Sequence, residues 1–166
     1  MGVYVLDTSA VVKRYVAETG SAWINTLCDP ASGNGLHVAR ITAVEVISAL
    51  ARRHRKGDID QADFDILVDR FEFDLHTQYQ VVEISPALVD EAMRFSKKHG
   101  LRGYDAVQLA ALFLVHQTLC REQLPLPTFI ASDHDLLTAA IAKGFDVDDP
   151  NDTDAAFQAG CLFQQV

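Results

Sequence analysis

Asp7, Glu45, Asp105 and Asp133 each stand where a secondary-structure element is expected to begin or end, so their carboxylates are free to do chemistry. Asp7 closes the apolar run Val3-Tyr4-Val5-Leu6 and is followed by Thr8-Ser9. Either Asp7 caps the next helix by accepting from exposed N–H groups, or Thr8 and Ser9 cap it and leave Asp7 to face a cation. Thr42-Ala43-Val44-Glu45 has the spacing of a capping box, in which Glu45 reaches back to the cap residue. A Glu in a first turn can equally point off the helix toward a ligand. Asp105 precedes the apolar Ala106-Val107-Gln108-Leu109-Ala110 and can serve the dipole of a buried helix. It can also belong to a site, because burying it unpaired is costly. In Ser132-Asp133-His134-Asp135, Ser132 has the better capping position, which makes Asp133 a stronger site candidate than Asp135.

Carboxylates that converge call for a hard cation. Mg²⁺ takes oxygen ligands and keeps several waters, so one or two direct carboxylates and a few water-mediated ones suit it. Two such groups about 4 Å apart repel by about 4 kcal/mol at an effective dielectric near 20. Without a cation the cluster must hold a proton or splay apart. A bound cation polarises a phosphate and acidifies a water that can attack it. Rival chemistries are poorly represented. No Ser-His-Asp or Cys–His arrangement stands out, and His37, His54, His76, His99, His116 and His134 show no HxxxH or HExxH spacing.

The elements that must position these groups alternate. Strands are expected at 3–6, 36–39, 81–84, 128–131 and 145–147, and helices at 9–17, 21–28, 42–55, 60–77, 86–99, 105–119 and 133–143. Strands alternating with helices imply parallel βαβ units with helices on both sheet faces. Ligands then bind beyond the carboxyl ends of the strands, which is where Asp7 and Asp133 stand. The 166 residues, 49% of them hydrophobic, fit one domain over 1–150, with an acidic tail at 151–166 that can dock back.

Composition narrows the function classes. The net charge of −9 counts against a simple nucleic-acid-binding module, though less against a metal enzyme. No apolar run is long enough to span a bilayer. The start lacks a basic n-region and the three cysteines lie far apart, so a cytoplasmic protein with reduced thiols is expected. Arg52-Arg53-His54-Arg55-Lys56 is the densest basic stretch, either a solvated helix end or a patch for phosphate or a partner. Lys13, Arg14, Lys97, Lys98 and Arg102 are further substrate-binding candidates, whereas Tyr104 and Trp23 read as packing residues.

The chain resembles the PIN-domain family and, within it, the VapC-like toxin ribonucleases of bacterial toxin–antitoxin pairs. The resemblance rests on Val5-Leu6-Asp7-Thr8-Ser9-Ala10, Thr42-Ala43-Val44-Glu45-Val46, Leu101-Arg102-Gly103-Tyr104-Asp105-Ala106-Val107-Gln108-Leu109-Ala110 and Ala131-Ser132-Asp133-His134-Asp135-Leu136-Leu137. The ordered set, over about 3–150, is far more specific than any one segment. It implies a three-layer α/β/α sandwich around a parallel sheet of about five strands, and RNA cleavage dependent on Mg²⁺ or Mn²⁺. By position Asp7, Glu45, Asp105 and Asp133 correspond to the family's acidic quartet. Thr8 and Ser132 are secondary candidates to hold metal or water, and Asp135 competes with Asp133 for the fourth place. The resemblance also implies homodimerisation and inhibition by a small antitoxin protein. A non-catalytic PIN-like interaction module is the alternative, set back by the complete quartet. A phosphatase of the haloacid dehalogenase type needs an Asp two residues after Asp7, where this chain has Ser9.

Overall fold

A computed structural model describes residues 1–152. Its sheet has five parallel strands in the order β3-β2-β1-β4-β5. The strands are β1 (Val3–Leu6), β2 (Gly35–Ala39), β3 (Tyr79–Val82), β4 (Thr128–Ile130) and β5 (Asp146–Asp148). The α-helices are α1 (Thr8–Val12), α2 (Ser21–Leu27), α3 (Arg40–Lys56), α4 (Gln61–Thr77), α5 (Pro86–His99), α6 (Gly103–Arg121) and α7 (His134–Ala142).

Successive strand residues point to opposite faces, and the core divides accordingly. Val5, Ala39 and Phe129 pack into one cluster with Leu88 and Phe95 of α5, Leu109 and Leu112 of α6 and Leu136 of α7. Their neighbours Leu6, Val38 and Ile130 enter a second cluster with Val11, Ile24, Leu50 and Phe71 from α1 to α4. Helices therefore cover both faces, as the expected three-layer sandwich requires.

From β1 the chain builds outward through β2 to β3, then crosses back to lay β4 on the other side of β1. The strand order reverses between β1 and β4, so the crevice at their carboxyl ends is the switch point where such sheets bind ligands. Asp7 follows β1 directly, and its N–H donates to the Ile130 carbonyl at the end of β4 (2.9 Å).

Several boundaries differ from expectation. The third strand is Tyr79–Val82 instead of 81–84, because parallel pairing with β2 runs from Leu36 opposite Tyr79 to Ala39 opposite Val82. The first helix ends at Val12 instead of 17, and the following turn buries Lys13, whose Nζ donates to Thr19 O (2.8 Å), Asn151 Oδ1 (2.9 Å) and Glu18 Oε1 (3.4 Å). Gly20 in that turn has φ +88°, and a Cβ there would lie 2.7 Å from Pro150. The segment leaving β5 is thus held against the loop after α1. The expected docking of the 151–166 tail concerns residues that, past 152, lie outside those described. Among the described residues, no helix is long and apolar enough to cross a membrane.

Candidate active site

Asp7 is the N-cap of α1: its Oδ2 accepts from Ser9 N–H (2.9 Å) and Ser9 Oγ–H (2.6 Å). Of the two alternatives the sequence left open, Asp7 does the capping itself, and Thr8 and Ser9 do not free it. It is 6% exposed. Burial, reinforced by the charge of Glu45 and opposed by the Ser9 hydrogen bonds, pushes its pKa up to about 6.

Glu45 makes no capping box. The chain passes from β2 straight into α3 at Arg40, which puts Glu45 in the second turn instead of the first, while Ala39 is the N-cap. Thr42 is buried and bound elsewhere. Glu45 Oε2 accepts from Thr8 Oγ1 (2.6 Å) and Gln108 Nε2 (2.9 Å), and Gln108 Nε2 also donates to Thr42 Oγ1 (2.9 Å) and Thr8 Oγ1 (3.1 Å). One buried amide thereby ties α1, α3 and α6 together and aims the Glu45 carboxylate. Sequence reasoning assigned Gln108 no role, although a lone amide inside an apolar helix run was a visible signal.

Asp105 stands in the first turn of α6, which begins two residues earlier than expected, with Arg102 as its N-cap. Its carboxyl is held above the ordinary range, first by burial and then by Asp133; Glu45 and Asp135 add to this and Arg102 opposes it. A cavity of about 370 Å³ joins Asp105, Asp133 and Asp135 with Arg102, His99 and Thr138. Asp133, not Ser132, is the N-cap of α7, its Oδ1 accepting from Leu136 N–H (2.9 Å). Ser132 had looked the better cap, but its N–H donates to Ser9 Oγ (2.9 Å), which fixes the β4 end to the α1 start. Asp135 lies in the exposed first turn of α7 and bears on Asp105 less than Asp133 does.

The four carboxylates thus form an electrostatic chain in which Asp7 meets Glu45, Glu45 meets Asp105, and Asp105 meets Asp133. Among the described residues, no three carboxylate, imidazole or thiol groups already stand close enough together to cage an ion. An open oxygen-donor site fits Mg²⁺ or Mn²⁺ better than a closed one, since Mg²⁺ keeps most of its water. A second observation agrees: Ser132 Oγ is buried at this junction with no hydrogen-bond partner among the described residues. An ion-bound water there would satisfy it. Cys28 is disfavoured as a nucleophile, because burial pushes its pKa up to about 11.

The basic candidates separate. Lys13 is buried, and the Arg14 side chain is largely covered and pairs with Asp74 (Nη2–Oδ2 3.3 Å); neither presents a cation to substrate, contrary to expectation. Arg53 pairs with Glu18 (2.6 Å), and His54 turns to the Ile59 carbonyl. Arg52 and Arg55 open onto a groove that begins at Glu45. Tyr104 is 60% exposed on the same groove, so it is not the packing residue expected.

Comparison with known proteins agrees with this architecture. Residues 4–119 match the model of the PIN domain family. Ribonuclease VapC45 of Mycobacterium tuberculosis strain CDC 1551 / Oshkosh is 31% identical over 118 residues, covering 69% of this chain and 78% of its own; Ribonuclease VapC49 of strain H37Rv gives the same figures. Among solved structures, PAE2754 from Pyrobaculum aerophilum superposes with a TM-score of 0.60 at 20% identity, over 95% of this chain and 90% of that one. FitAcB from Neisseria gonorrhoeae superposes with a TM-score of 0.58 at 16% identity, over 89% and 97%. A toxin–antitoxin complex from Klebsiella pneumoniae does so with a TM-score of 0.57 at 16% identity, over 89% and 97%. With the family model matching most of its length, the chain belongs to the PIN domain family.

Proposed function

We propose that this protein is an endoribonuclease dependent on Mg²⁺ or Mn²⁺ and the toxin of a toxin–antitoxin pair. The observation that supports this best is the chain of four carboxylates at the β1/β4 switch point, with no protein cation placed to neutralise Asp7 or Glu45 among the described residues. Asp7, Glu45, Asp105 and Asp133 are the residues that would hold the metal. When bound, that metal supplies Lewis-acid activation of the phosphate and an acidified water.

The chain's own residues supply the rest. Ser9 fixes one oxygen of Asp7. Thr8 and Gln108 hold Glu45 in one orientation, so no reorganisation is needed as charge develops. Arg102, beside Asp105, is placed to meet a phosphate oxygen that the acids alone would repel. The two VapC relatives named as ribonucleases support the reaction, and the Klebsiella toxin–antitoxin complex supports a small antitoxin as partner. Homodimerisation and a cytoplasmic setting belong to the same reading.

The test is cleavage of a panel of structured RNAs by purified protein in Mg²⁺ or Mn²⁺. Cleavage should stop in EDTA and fall by at least about 100-fold in Asp7→Asn. Intact RNA across the panel would overturn the reading and leave a non-catalytic module.

A further inference from the structure

We propose that the groove between α3 and the start of α6 is a subsite for single-stranded RNA flanking the scissile phosphate. Tyr104 stacks a base there, and Arg52 and Arg55 hold the backbone. The inference rests on the ribonuclease reading and extends it to substrate form and to residues outside the acidic cluster.

The placement follows from helical geometry. Glu45, Ser48, Arg52 and Arg55 are three, seven and ten residues apart along α3 and all line this one groove, about 520 Å³ in volume. At 1.5 Å per residue, Arg52 lies about 10 Å and Arg55 about 15 Å from Glu45 along the axis. Stacked nucleotides advance about 3.4 Å each along a strand. The two guanidinium groups therefore sit about three to five nucleotides from the reaction centre, or fewer if the strand is stretched. Neither arginine has an ion-pair or hydrogen-bond partner among the described residues, unlike Arg53 between them, which Glu18 takes up.

On the α6 side of the groove Tyr104 is 60% exposed, and on α3 Val44 is 61% exposed. The Tyr104 ring stacks on no other ring among the described residues. An unstacked ring and unpaired guanidinium groups lining one groove are the combination that holds unstacked bases and their phosphates together. A duplex cannot use it, because its bases are not available to a side chain in this way. Charge distinguishes this groove from the cavity lined by Asp105, Asp133 and Asp135, where Arg102 is the one arginine among three carboxylates and no row of cations follows a strand. In a chain of net charge −9, the α3 groove is where a polyanion is drawn in next to Glu45.

The test is binding of a fluorescent single-stranded oligoribonucleotide in EDTA, which prevents turnover, and cleavage of the same RNA in Mg²⁺. Arg52→Ala and Arg55→Ala should each weaken binding several-fold and flatten the slope of log affinity against log salt by about 0.7. Tyr104→Ala should weaken binding about tenfold or more, whereas Tyr104→Phe keeps wild-type affinity. In cleavage these losses should appear in KM with kcat retained, and thermal melting should show each variant folded. Wild-type binding and KM in all three alanine variants would overturn the proposal, as would loss without the change in salt slope. Cleavage by wild type with unaffected variants would sink the groove alone; binding in the expected pattern without cleavage would sink the nuclease reading alone. Unchanged RNA binding with lost affinity for a protein partner would make this a protein-docking face and overturn the proposal.

Discussion

Two buried aspartates, almost equally hidden, stand in opposite circumstances. Asp74 on α4 is 7% exposed and meets a cation of the same chain: Arg14 Nη2 lies 3.3 Å away, the Tyr15 hydroxyl donates to it at 2.9 Å, and Tyr79 completes the cluster through Arg14. Asp7 is 6% exposed and, among the described residues, meets the Ser9 donors, the Thr8 backbone and the like charge of Glu45, with no cation paired to it. A buried charge is tolerated when paired and otherwise shifts its pKa. The first cluster is closed and structural, tying the turn after α1 to α4 and β3. The second is incomplete as protein alone, which is the expected condition of a cation site.

Breaking the closed cluster should produce the largest change in stability. Asp74→Ala leaves the Arg14 guanidinium buried without its carboxylate and should cost about 3–5 kcal/mol, read from urea denaturation. A loss below about 1 kcal/mol would mean that Arg14 is already solvated and the contrast with Asp7 is false. A smaller effect is expected in the machinery of the open cluster. Gln108→Leu keeps the volume but removes the donor to Glu45, and should lower kcat/KM by about 10- to 100-fold. The Mg²⁺ concentration for half-maximal rate should rise with it. Loss of stability with an unchanged Mg²⁺ requirement would reduce Gln108 to a packing residue.

The smallest effect has the unusual sign. With a folded pKa of about 6 against an ordinary 3.8, Asp7 binds more protons folded than unfolded in that window. Stability therefore falls as pH rises from about 4 to about 6 and the penalty is complete above it. In EDTA at pH 7.5, Asp7→Asn should be more stable than wild type by about 1–3 kcal/mol, with the difference fading toward pH 4. A destabilised Asp7→Asn protein under those conditions would show that the carboxylate is already compensated.

Much of this was legible in residue types and much was not, for identifiable reasons. Ser85-Pro86 and the terminal Gly100 punctuate α5 so strongly that its limits could be read directly, and the β1 limits followed from the four apolar residues before Asp7. Family membership was readable from the ordered set of four acidic segments. The caps were not, because Ser132 and Asp133 both suit the position locally, and the choice is made by Ser9, distant in sequence, which takes the Ser132 N–H. Likewise Thr42 and Glu45 satisfy a capping-box pattern that fails because β2 runs into α3 without a loop. Arg14 and Lys13 looked like surface cations, and only tertiary contacts with Asp74 and Asn151 bury them. Tyr104 erred the other way: an aromatic beside an apolar helix was expected to pack, yet it precedes the buried stretch and faces outward.

The central claim is that Asp7 and its neighbours form a cation site, and calorimetric titration of the wild-type protein with Mn²⁺ tests it most directly. The account predicts binding at pH 7.5 that weakens as pH is lowered through about 6, where Asp7 takes up its proton. Binding should be lost in Asp7→Asn. An absence of heat with the wild-type protein, or equal binding by the Asp7→Asn variant, would contradict it.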